Sequence, residues 1–152
     1  MKILVIGESC NDIFHYGTCN RLCPEAPVPV FNSCMLSSNG GMAMNVYHNL
    51  ISLGADVEIV TNNNWEDITK TRFVDRRTNH MFMRLDENDT EYGTVSLETI
   101  NFSSFDAVIV SDYNKGFLST QDLQFISNNC ELSFLDTKKR LGPWSDNFSF
   151  IK

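Results

Sequence analysis

The chain has 152 residues, of which 42% are hydrophobic and 20% are charged, as in a globular domain of ordinary size. Its formal net charge of −7 argues against a general binder of nucleic acid or of an anionic membrane, because an acidic surface repels phosphate groups. No apolar run reaches membrane-spanning length and the five cysteines lack the spacing of a disulfide framework, so we expect a reduced, cytoplasmic protein.

The first half of the chain predicts one fully buried strand, two strands of a different kind and a helix. Residues 2–7 form a continuous apolar run, as in a strand that is buried on both faces. Segments 12–16 and 28–35 mix polar and aromatic residues, which is typical of strands with one solvent-exposed face. Residues 39–41, Asn-Gly-Gly, predict a turn, and apolar residues at helical spacing then predict a helix that ends at Gly54.

Pro24, Pro27 and Pro29 lie in the unusual stretch PEAPVPV, at the junction of the two polar-faced strands. Proline fixes the backbone φ angle and lacks an amide donor, so such a stretch belongs to an edge strand or to a connecting arm. We therefore expect a stiff, extended segment here.

The second half of the chain predicts further strands and a helix. In chain order these elements are a second buried strand at 57–61, hairpin strands 69–74 and 80–85, a helix candidate at 95–105, a third buried strand at 107–110, a helix at 118–128, a fourth strand at 132–135 and the start of a strand at 148. Ser119 or Thr120 can cap the helix at 118–128. Buried strands that alternate with helices indicate a parallel sheet with right-handed crossovers, so the predicted fold class is α/β.

Ligands of parallel sheets bind beyond the carboxyl ends of the strands, and here those ends lead into the loops 8–12, 61–65, 111–116 and 136–140. The last two loops are polar and contain lysine. Asp112 and Lys115 follow the third buried strand, and Asp136 and Lys138 follow the fourth. Each of these side chains could be ordinary surface, but their shared location favours a ligand site.

Carboxylates and amides near the first strand and the first helix could bind a hydroxyl-rich ligand. Glu8 and Asp12 can accept hydrogen bonds from sugar hydroxyls, although the cap of a helix or turn is the alternative interpretation. Asn39-Gly40-Gly41 precedes a helix, so its backbone amides could bind an anion or a hydroxyl, although a plain turn explains it equally well. Asn45 on the same helix adds slightly to the ligand interpretation.

Lys70 and Arg72 are two residues apart in a predicted strand, so both side chains point to one face. A pair of cations on one strand face can hold a phosphate, although such a pair is more often a solvated face. The three histidines have no acid or serine partner at a recognisable spacing, and the sequence has no Gly-Lys-Ser phosphate loop, GxGxxG or GxSxG motif.

Five ordered motifs cover nearly all of the chain and resemble the sugar kinases of the ribokinase (PfkB) family. They are NDIFHYGTCNRLCPEAPVPVF, NGGMAMNVYHNLISLGA, TKTRFVDRRTNHMFMRLD, SDYNKG and DTKK. PEAPVP and SDYNKG are specific matches, and the resemblance is closest to the heptose kinases of ADP-heptose synthesis. It implies a ribokinase-like parallel sheet with flanking helices and a small β lid.

The resemblance implies that the polar-faced strands form this lid beside the α/β body, with lid strands at about 12–18, 27–38 and 69–86. The proline-rich arm would cross from the body to the lid, since a stiff arm suits a lid that carries a preformed surface over a sugar. Lids in this family often pair with a second subunit, so a homodimer through the lid is also expected.

The resemblance also implies roles for particular residues. Those expected at the sugar are Asp12, Asn39, Gly40, Gly41 and Asn45, with Arg21 as the base of the arm. The cations expected to hold the phosphate of a sugar phosphate are Lys70, Arg72 and Lys115. The loop residues that match family motifs with a less defined part in substrate binding are Asp112, Asp136 and Lys138.

Two departures from the family pattern limit the function that these residues can support. Between Thr61 and Asp67 the chain has only NNNWE, where the family has a helix and a further strand. The chain also lacks the family's Gly-Ala-Gly-Asp loop, whose aspartate deprotonates the sugar hydroxyl, and the nucleotide-binding segments. We therefore expect a truncated domain with no catalytic residue, no metal site and no tight binding of the family's ATP and Mg²⁺ by this chain alone.

Two functions remain open. The chain could be the sugar-binding half of a kinase that phosphorylates heptose 7-phosphate or a related sugar, either as a fragment of a longer product or with a separate chain that supplies the nucleotide half. Alternatively, it could be a non-catalytic sugar-binding or dimerisation module. Neither function involves nucleic acid or a membrane.

Overall fold

The computed structural model describes all 152 residues and contains nine β-strands in two sheets. In chain order the elements are β1 Lys2–Gly7, β2 Ser9–Leu22, β3 Pro29–Met42, α1 Ala43–Ser52, β4 Asp56–Val60, β5 Thr69–Asp75, β6 Met81–Glu87, β7 Ala107–Asp112, α2 Thr120–Asn129, β8 Ser133–Thr137 and β9 Phe150–Ile151. Two short 3₁₀ helices, Phe102–Ser104 and Pro143–Ser145, complete the regular structure.

The larger sheet has five strands in the order β4-β1-β7-β8-β9, and every neighbouring pair is parallel. Its central strand β1 is apolar because both faces of the sheet are covered, and five of its six residues are buried. One face packs against α2 and the loop before β7, and the other packs against α1. The predicted α/β fold class, a parallel sheet with flanking helices, is confirmed.

The other four strands form a separate sheet in the order β3-β2-β5-β6. β2 is antiparallel to β3 and parallel to β5, and β5 and β6 form the predicted hairpin. The segments 12–18, 27–38 and 69–86 lie mainly in this sheet. Only Glu8 separates β1 from β2, so the chain passes directly from the larger sheet into the smaller one.

The proline-rich stretch does not connect the two sheets, so that expectation is wrong. Residues 23–28 form the exposed turn that joins β2 to β3, at the end of the small sheet away from β1. The chain passes between the sheets at four other places, namely Glu8, the junction after Met42 that leads into α1, residues 61–68 and residues 88–106. Proline is tolerated in the turn because few backbone amides there have to donate to a neighbouring strand.

The predicted turn at residues 39–41 is also wrong, because these residues are the last part of β3 and pair with β2. Close packing, not a turn, favours glycine here. A Cβ atom on Gly41 would lie 3.1 Å from Cys10 Sγ and 3.2 Å from Asp12 Cβ. The chain changes direction one residue later, where Met42 has a φ of 60° just before α1.

Two further predictions are corrected by the structure. Segment 95–105 contains no α-helix but one short 3₁₀ turn, because Leu97 and Phe102 pack individually into the core from an irregular loop. Strand β4 is not buried on both faces. It forms an edge of the larger sheet, and its residues Asp56 and Glu58 are exposed.

The two α-helices agree with the sequence-based prediction. α1 ends shortly before Gly54, which has a φ of 82°. α2 begins after Ser119, whose side chain is the N-cap, so of the two possible caps Ser119 is the correct one. Each helix has ten residues, and neither has the length and apolar character that a membrane span requires.

Candidate functional site

A cavity of about 390 Å³ lies between the small sheet, the start of α1 and the loop after β7. Side chains alternate along a strand, so one face of the small sheet, here called the inner face, contributes every second residue of β2 and β5. The residues that line the cavity are Cys10, Asp12, Phe14, Asn39, Gly41, Met42, Asn45, Lys70, Arg72, Arg84, Asp89, Tyr113 and Lys115.

Asp12 has an unsatisfied carboxylate oxygen at this cavity. Its Oδ2 accepts a hydrogen bond from Arg72 Nη2 at 3.0 Å, whereas its Oδ1 is buried and has no hydrogen-bond partner. A buried acceptor without a partner costs about 1–3 kcal/mol. Asn39 and Asn45, whose amides can both donate and accept, line the same cavity. These groups can together bind hydroxyl groups of a ligand.

The cations of the cavity are all paired with carboxylates. Lys70 Nζ lies 2.8 Å and Lys115 Nζ lies 2.9 Å from the same atom, Asp89 Oδ2. Arg84 Nε lies 2.8 Å from Asp86, which is also 3.6 Å from Lys70. The lysines that the sequence suggests for a phosphate are therefore bound to an acid of the chain itself.

Asp89 is ionised over the physiological pH range. Burial favours a higher pKa, but hydrogen bonds from Lys70, Tyr92 and Lys115 outweigh it and lower the pKa of Asp89 to about 2. Burial, together with the hydrogen bond from its hydroxyl to Asp89, raises the pKa of Tyr92. The phenol therefore stays protonated and acts as a donor to the carboxylate.

Glu8 holds the loop after β7 in place. The side chain is fully buried, and its two oxygens accept hydrogen bonds from the backbone amides of Tyr113 at 2.8 Å and Lys115 at 2.9 Å. Both oxygens are thus used inside the protein. Of the two interpretations that the sequence leaves open for Glu8, the turn cap is the correct one.

Phe14 and Cys10 complete the inner wall of the cavity. The guanidinium carbon of Arg72 lies 5.5 Å from the centre of the Phe14 ring, a cation–π contact that helps to orient Arg72 toward Asp12. Burial raises the pKa of the Cys10 thiol to about 11. The thiol is therefore protonated at neutral pH and is not an activated nucleophile.

Seven of the twelve residues predicted for the site line this one cavity. They come from β2, β3, α1, β5 and the loop after β7, and they are Asp12, Asn39, Gly41, Asn45, Lys70, Arg72 and Lys115. The structure thus brings together segments that are up to about a hundred residues apart in the sequence.

The other five predicted residues lie elsewhere. Arg21 is exposed near the end of β2, and Gly40 borders a separate hollow beside Trp65. Asp112 is buried and is bound by Lys139 Nζ at 2.6 Å.

The remaining two predicted residues lie at the end of β8 and contact other side chains. Asp136 pairs with Lys152 at 3.3 Å. Lys138 Nζ lies 5.8 Å from the ring centre of Tyr113. Neither residue lines the cavity, so the match of their loop to a family motif does not make them part of this site.

Sequence reasoning missed six residues of the cavity, namely Cys10, Phe14, Met42, Arg84, Asp89 and Tyr113. Alternation from Asp12 could have indicated Cys10 and Phe14, which are two residues away on the same strand. Arg84 could have been found from the hairpin register, in which it faces Arg72. No local signal marks Asp89, because it lies in a segment without regular structure after β6.

The sequence is similar to part of the bifunctional protein HldE of several bacteria. It is 36% identical over 142 residues to that of Campylobacter jejuni subsp. doylei, covering 78% of this chain and 31% of the relative. It is 34% identical over 164 residues to that of Helicobacter pylori (strain HPAG1), covering 84% and 35%. The chain thus spans about a third of the length of these curated relatives. No family model matches the chain.

Solved structures with a similar fold include carbohydrate kinases. A carbohydrate kinase from Agrobacterium tumefaciens has a TM-score of 0.52 and 14% identity, covering 89% of this chain and 53% of that one. Ribokinase from Thermotoga maritima has a TM-score of 0.53 and 11% identity, covering 98% and 58%. This chain therefore has a ribokinase-like fold.

Four of the motifs that resemble the ribokinase family meet at the cavity, and the first of them contributes Asp12. The TKTR strand contributes Lys70 and Arg72, the NGG segment contributes Asn39 and Gly41, and the SDYNKG loop contributes Lys115. In this ribokinase-like chain the motifs are therefore parts of one spatial site.

Proposed function

We propose that this chain is the sugar-binding part of a carbohydrate kinase and that its ligand is heptose 7-phosphate or a related sugar phosphate. The observation that carries the proposal concerns Asp12, which lines the cavity. Its Oδ1 is buried and has no hydrogen-bond partner. A sugar hydroxyl is a donor that would satisfy this oxygen. The similarity to bifunctional protein HldE and to carbohydrate kinase folds supports a sugar as the ligand class.

We assign the phosphate of the ligand to the part of the cavity that contains Lys70 and Lys115. Both ammonium groups lie within 2.9 Å of one oxygen atom, so they are close enough to bind a single phosphate group. Arg84, which also lines the cavity, adds a third positive charge. Charge-assisted hydrogen bonds from such groups are stronger than those between neutral groups.

ATP and Mg²⁺ are the co-substrate and the ion that a carbohydrate kinase would use, and the ion would stabilise the negative charge of the nucleotide phosphates. In this chain, no three His, Cys, Asp or Glu side chains are grouped so that they could hold a metal ion, and the sequence contains no Gly-Ala-Gly-Asp segment. We propose that polypeptide other than these 152 residues supplies the nucleotide site, in a longer product or as a separate chain. Such a partner would pack on the apolar hollow formed by Ile109, Phe134 and Phe150.

We also propose that the chain forms a homodimer through the face of the small sheet that points away from the cavity, here called the outer face. The ring of Phe31 lies 5.3 Å from that of Phe73 and 6.0 Å from that of Phe82. Beside them, Met83 is 55% exposed and Leu85 is 44% exposed. A contiguous exposed apolar face marks an interaction site, so it also favours the alternative function, a non-catalytic dimerisation module.

Thermal unfolding of the chain with heptose 7-phosphate tests the proposed ligand. At a ligand concentration of 100 times Kd the folded state gains about 2.7 kcal/mol, which raises Tm by about 5–10 °C for a chain of this size. Asp12→Asn removes the carboxylate that would accept from the sugar, so we expect Kd to rise by about tenfold or more. ATP with Mg²⁺ should not shift Tm.

Asp146→Asn is the matched control, because Asp146 is exposed and does not line the cavity. This variant should respond to the ligand like the unaltered chain. An unchanged Tm at millimolar heptose 7-phosphate, or an equal response of Asp12→Asn, would contradict the proposed ligand. A rise in Tm with ATP and Mg²⁺ would contradict the proposed location of the nucleotide site.

A further inference from the structure

The ion pairs of the cavity have an unusual arrangement around Asp89. Its Oδ2 bridges Lys70 and Lys115, and its Oδ1 accepts a hydrogen bond from Tyr92. The carboxylate belongs to neither sheet, since it lies in the irregular segment that follows β6. Its neighbour Asn88 has a left-handed φ of 57° and directs the chain back toward the cavity.

We infer that Asp89 is a built-in competitor for the phosphate of the ligand: its carboxylate occupies the position between Lys70 and Lys115 that a phosphate takes, and a phosphorylated ligand displaces it. This inference rests on the proposed function, because it concerns the phosphate end of the same site. It adds a specificity-determining residue that is not itself expected to contact the sugar.

The charges around the cavity favour competition between Asp89 and a phosphate for the lysines, rather than binding of both at the same time. Four cations line the cavity, and they are opposed by three carboxylates, Asp12, Asp86 and Asp89. If Asp89 stayed in place, a bound phosphate would lie against a carboxylate of the same sign, which is unfavourable. When Asp89 leaves, both lysines become available to the phosphate, which has three acceptor oxygens and more charge than a carboxylate.

The placement of Asp89 makes displacement possible without disrupting either sheet. The strand pairing of β6 ends at Glu87, so movement of the next residues breaks no ladder hydrogen bond. Lys115 is 37% exposed and can follow a ligand, whereas Lys70 is 10% exposed and stays in the cavity. A neutral sugar has no charge with which to displace Asp89, so the device favours phosphorylated sugars.

The test uses Asp89→Asn and inorganic phosphate as the probe, with binding measured by calorimetry or by the ³¹P chemical shift. Removal of one negative charge next to the bound phosphate should improve the binding free energy by at least about 1 kcal/mol. We therefore expect the Kd for phosphate to fall by at least about fivefold. Glu87→Gln is the control, because it makes the same change in net charge on the exposed strand β6 and should leave Kd unchanged.

Two further variants test whether the Asp89 carboxylate competes with phosphate for the lysines or instead positions them. Asp89→Ala should also tighten phosphate binding, and Lys115→Met in the Asp89→Asn background should reverse the gain. Weaker or unchanged binding by both Asp89→Asn and Asp89→Ala would overturn the inference and make Asp89 a residue that positions the lysines. The probe contains no sugar, so failure of the chain to bind heptose would refute the proposed function without changing this result.

Discussion

Glu8 and Asp12 are four residues apart in the sequence, but their carboxylates have different hydrogen-bonding states. Both oxygens of Glu8 accept from backbone amides of the loop after β7. Asp12 uses one oxygen for Arg72 and leaves the other without a partner. At the scale of single residues, this difference separates a residue that supports the cavity wall from one that is available to a ligand.

Glu8→Gln tests the supporting role. The substituted amide has one oxygen and one NH₂ group, so one of the two backbone amides of the loop loses its acceptor. We expect the free energy of unfolding to fall by about 2 kcal/mol, the cost of a lost charge-assisted hydrogen bond and an unsatisfied buried donor. Urea unfolding measures this change.

Glu131→Gln provides the comparison, because Glu131 is exposed. Its free energy of unfolding should stay within about 0.5 kcal/mol of that of the unaltered chain. A Glu8→Gln variant as stable as Glu131→Gln would show that the two backbone contacts do not hold the loop.

At the scale of elements, the start of α2 shows how a local sequence signal is realised. Ser119 Oγ accepts from the backbone amide of Asp122 at 3.1 Å, and Asp122 Oδ2 accepts from the backbone amide of Ser119 at 2.8 Å. This reciprocal pair is a capping box, which satisfies two backbone donors that the first helical turn cannot. It sets the position of a helix that packs Leu123 and Ile126 into the main core.

Ser119→Ala should lower the free energy of unfolding by about 1 kcal/mol, because the N-cap acceptor is lost. Thr120→Ala is the matched comparison, since the Thr120 hydroxyl bonds only to the side chain of Gln121. Thermal or urea unfolding of both variants measures how much stability each substitution removes. Equal losses would mean that the cap assignment at Ser119 is incorrect.

The small sheet has the cavity on its inner face and the proposed dimer interface on its outer face. Its inner face contributes Asp12, Lys70 and Arg72 to the cavity, and its outer face is apolar around Phe73 and Met83. Because successive side chains of a strand point to opposite faces, one sheet can serve both purposes. A change on one face is therefore expected to leave the other face largely unaffected.

At the scale of the whole molecule, the outer face predicts a dimer. Met83→Glu places a charge within the exposed apolar surface, so we expect the dimer to dissociate into monomers, as measured by sedimentation equilibrium. Met35→Glu is the matched control. Met35 is 54% exposed, and it pairs with Tyr16 on the opposite face of the same sheet.

The Met35→Glu variant should remain dimeric at the concentrations that separate Met83→Glu. If the unaltered chain sediments as a monomer, or if both variants dissociate equally, the outer face is not the interface. The binding of heptose 7-phosphate in the same preparations would show whether the cavity needs the dimer.

Local patterns in the sequence determined the type and order of most elements. The apolar run of β1, the helical spacing of α1 and the hairpin of β5 and β6 were all predicted, because each depends on residues that are neighbours in the chain. The pattern failed at 95–105, where apolar residues pack individually into a core built by distant segments. Local spacing could not distinguish that loop from a helix.

Tertiary structure decided which of the predicted residues meet and what charge they present. Arg72 reaches Asp12 across 60 positions of sequence, and Lys115 reaches Glu8 across 107. The first pair depends on the pairing of β2 with β5 and the second on the pairing of β1 with β7, and no short-range pattern contains that information. For this reason the sequence could suggest Lys70 and Lys115 as phosphate ligands, whereas only the folded chain revealed that Asp89 already lies between them.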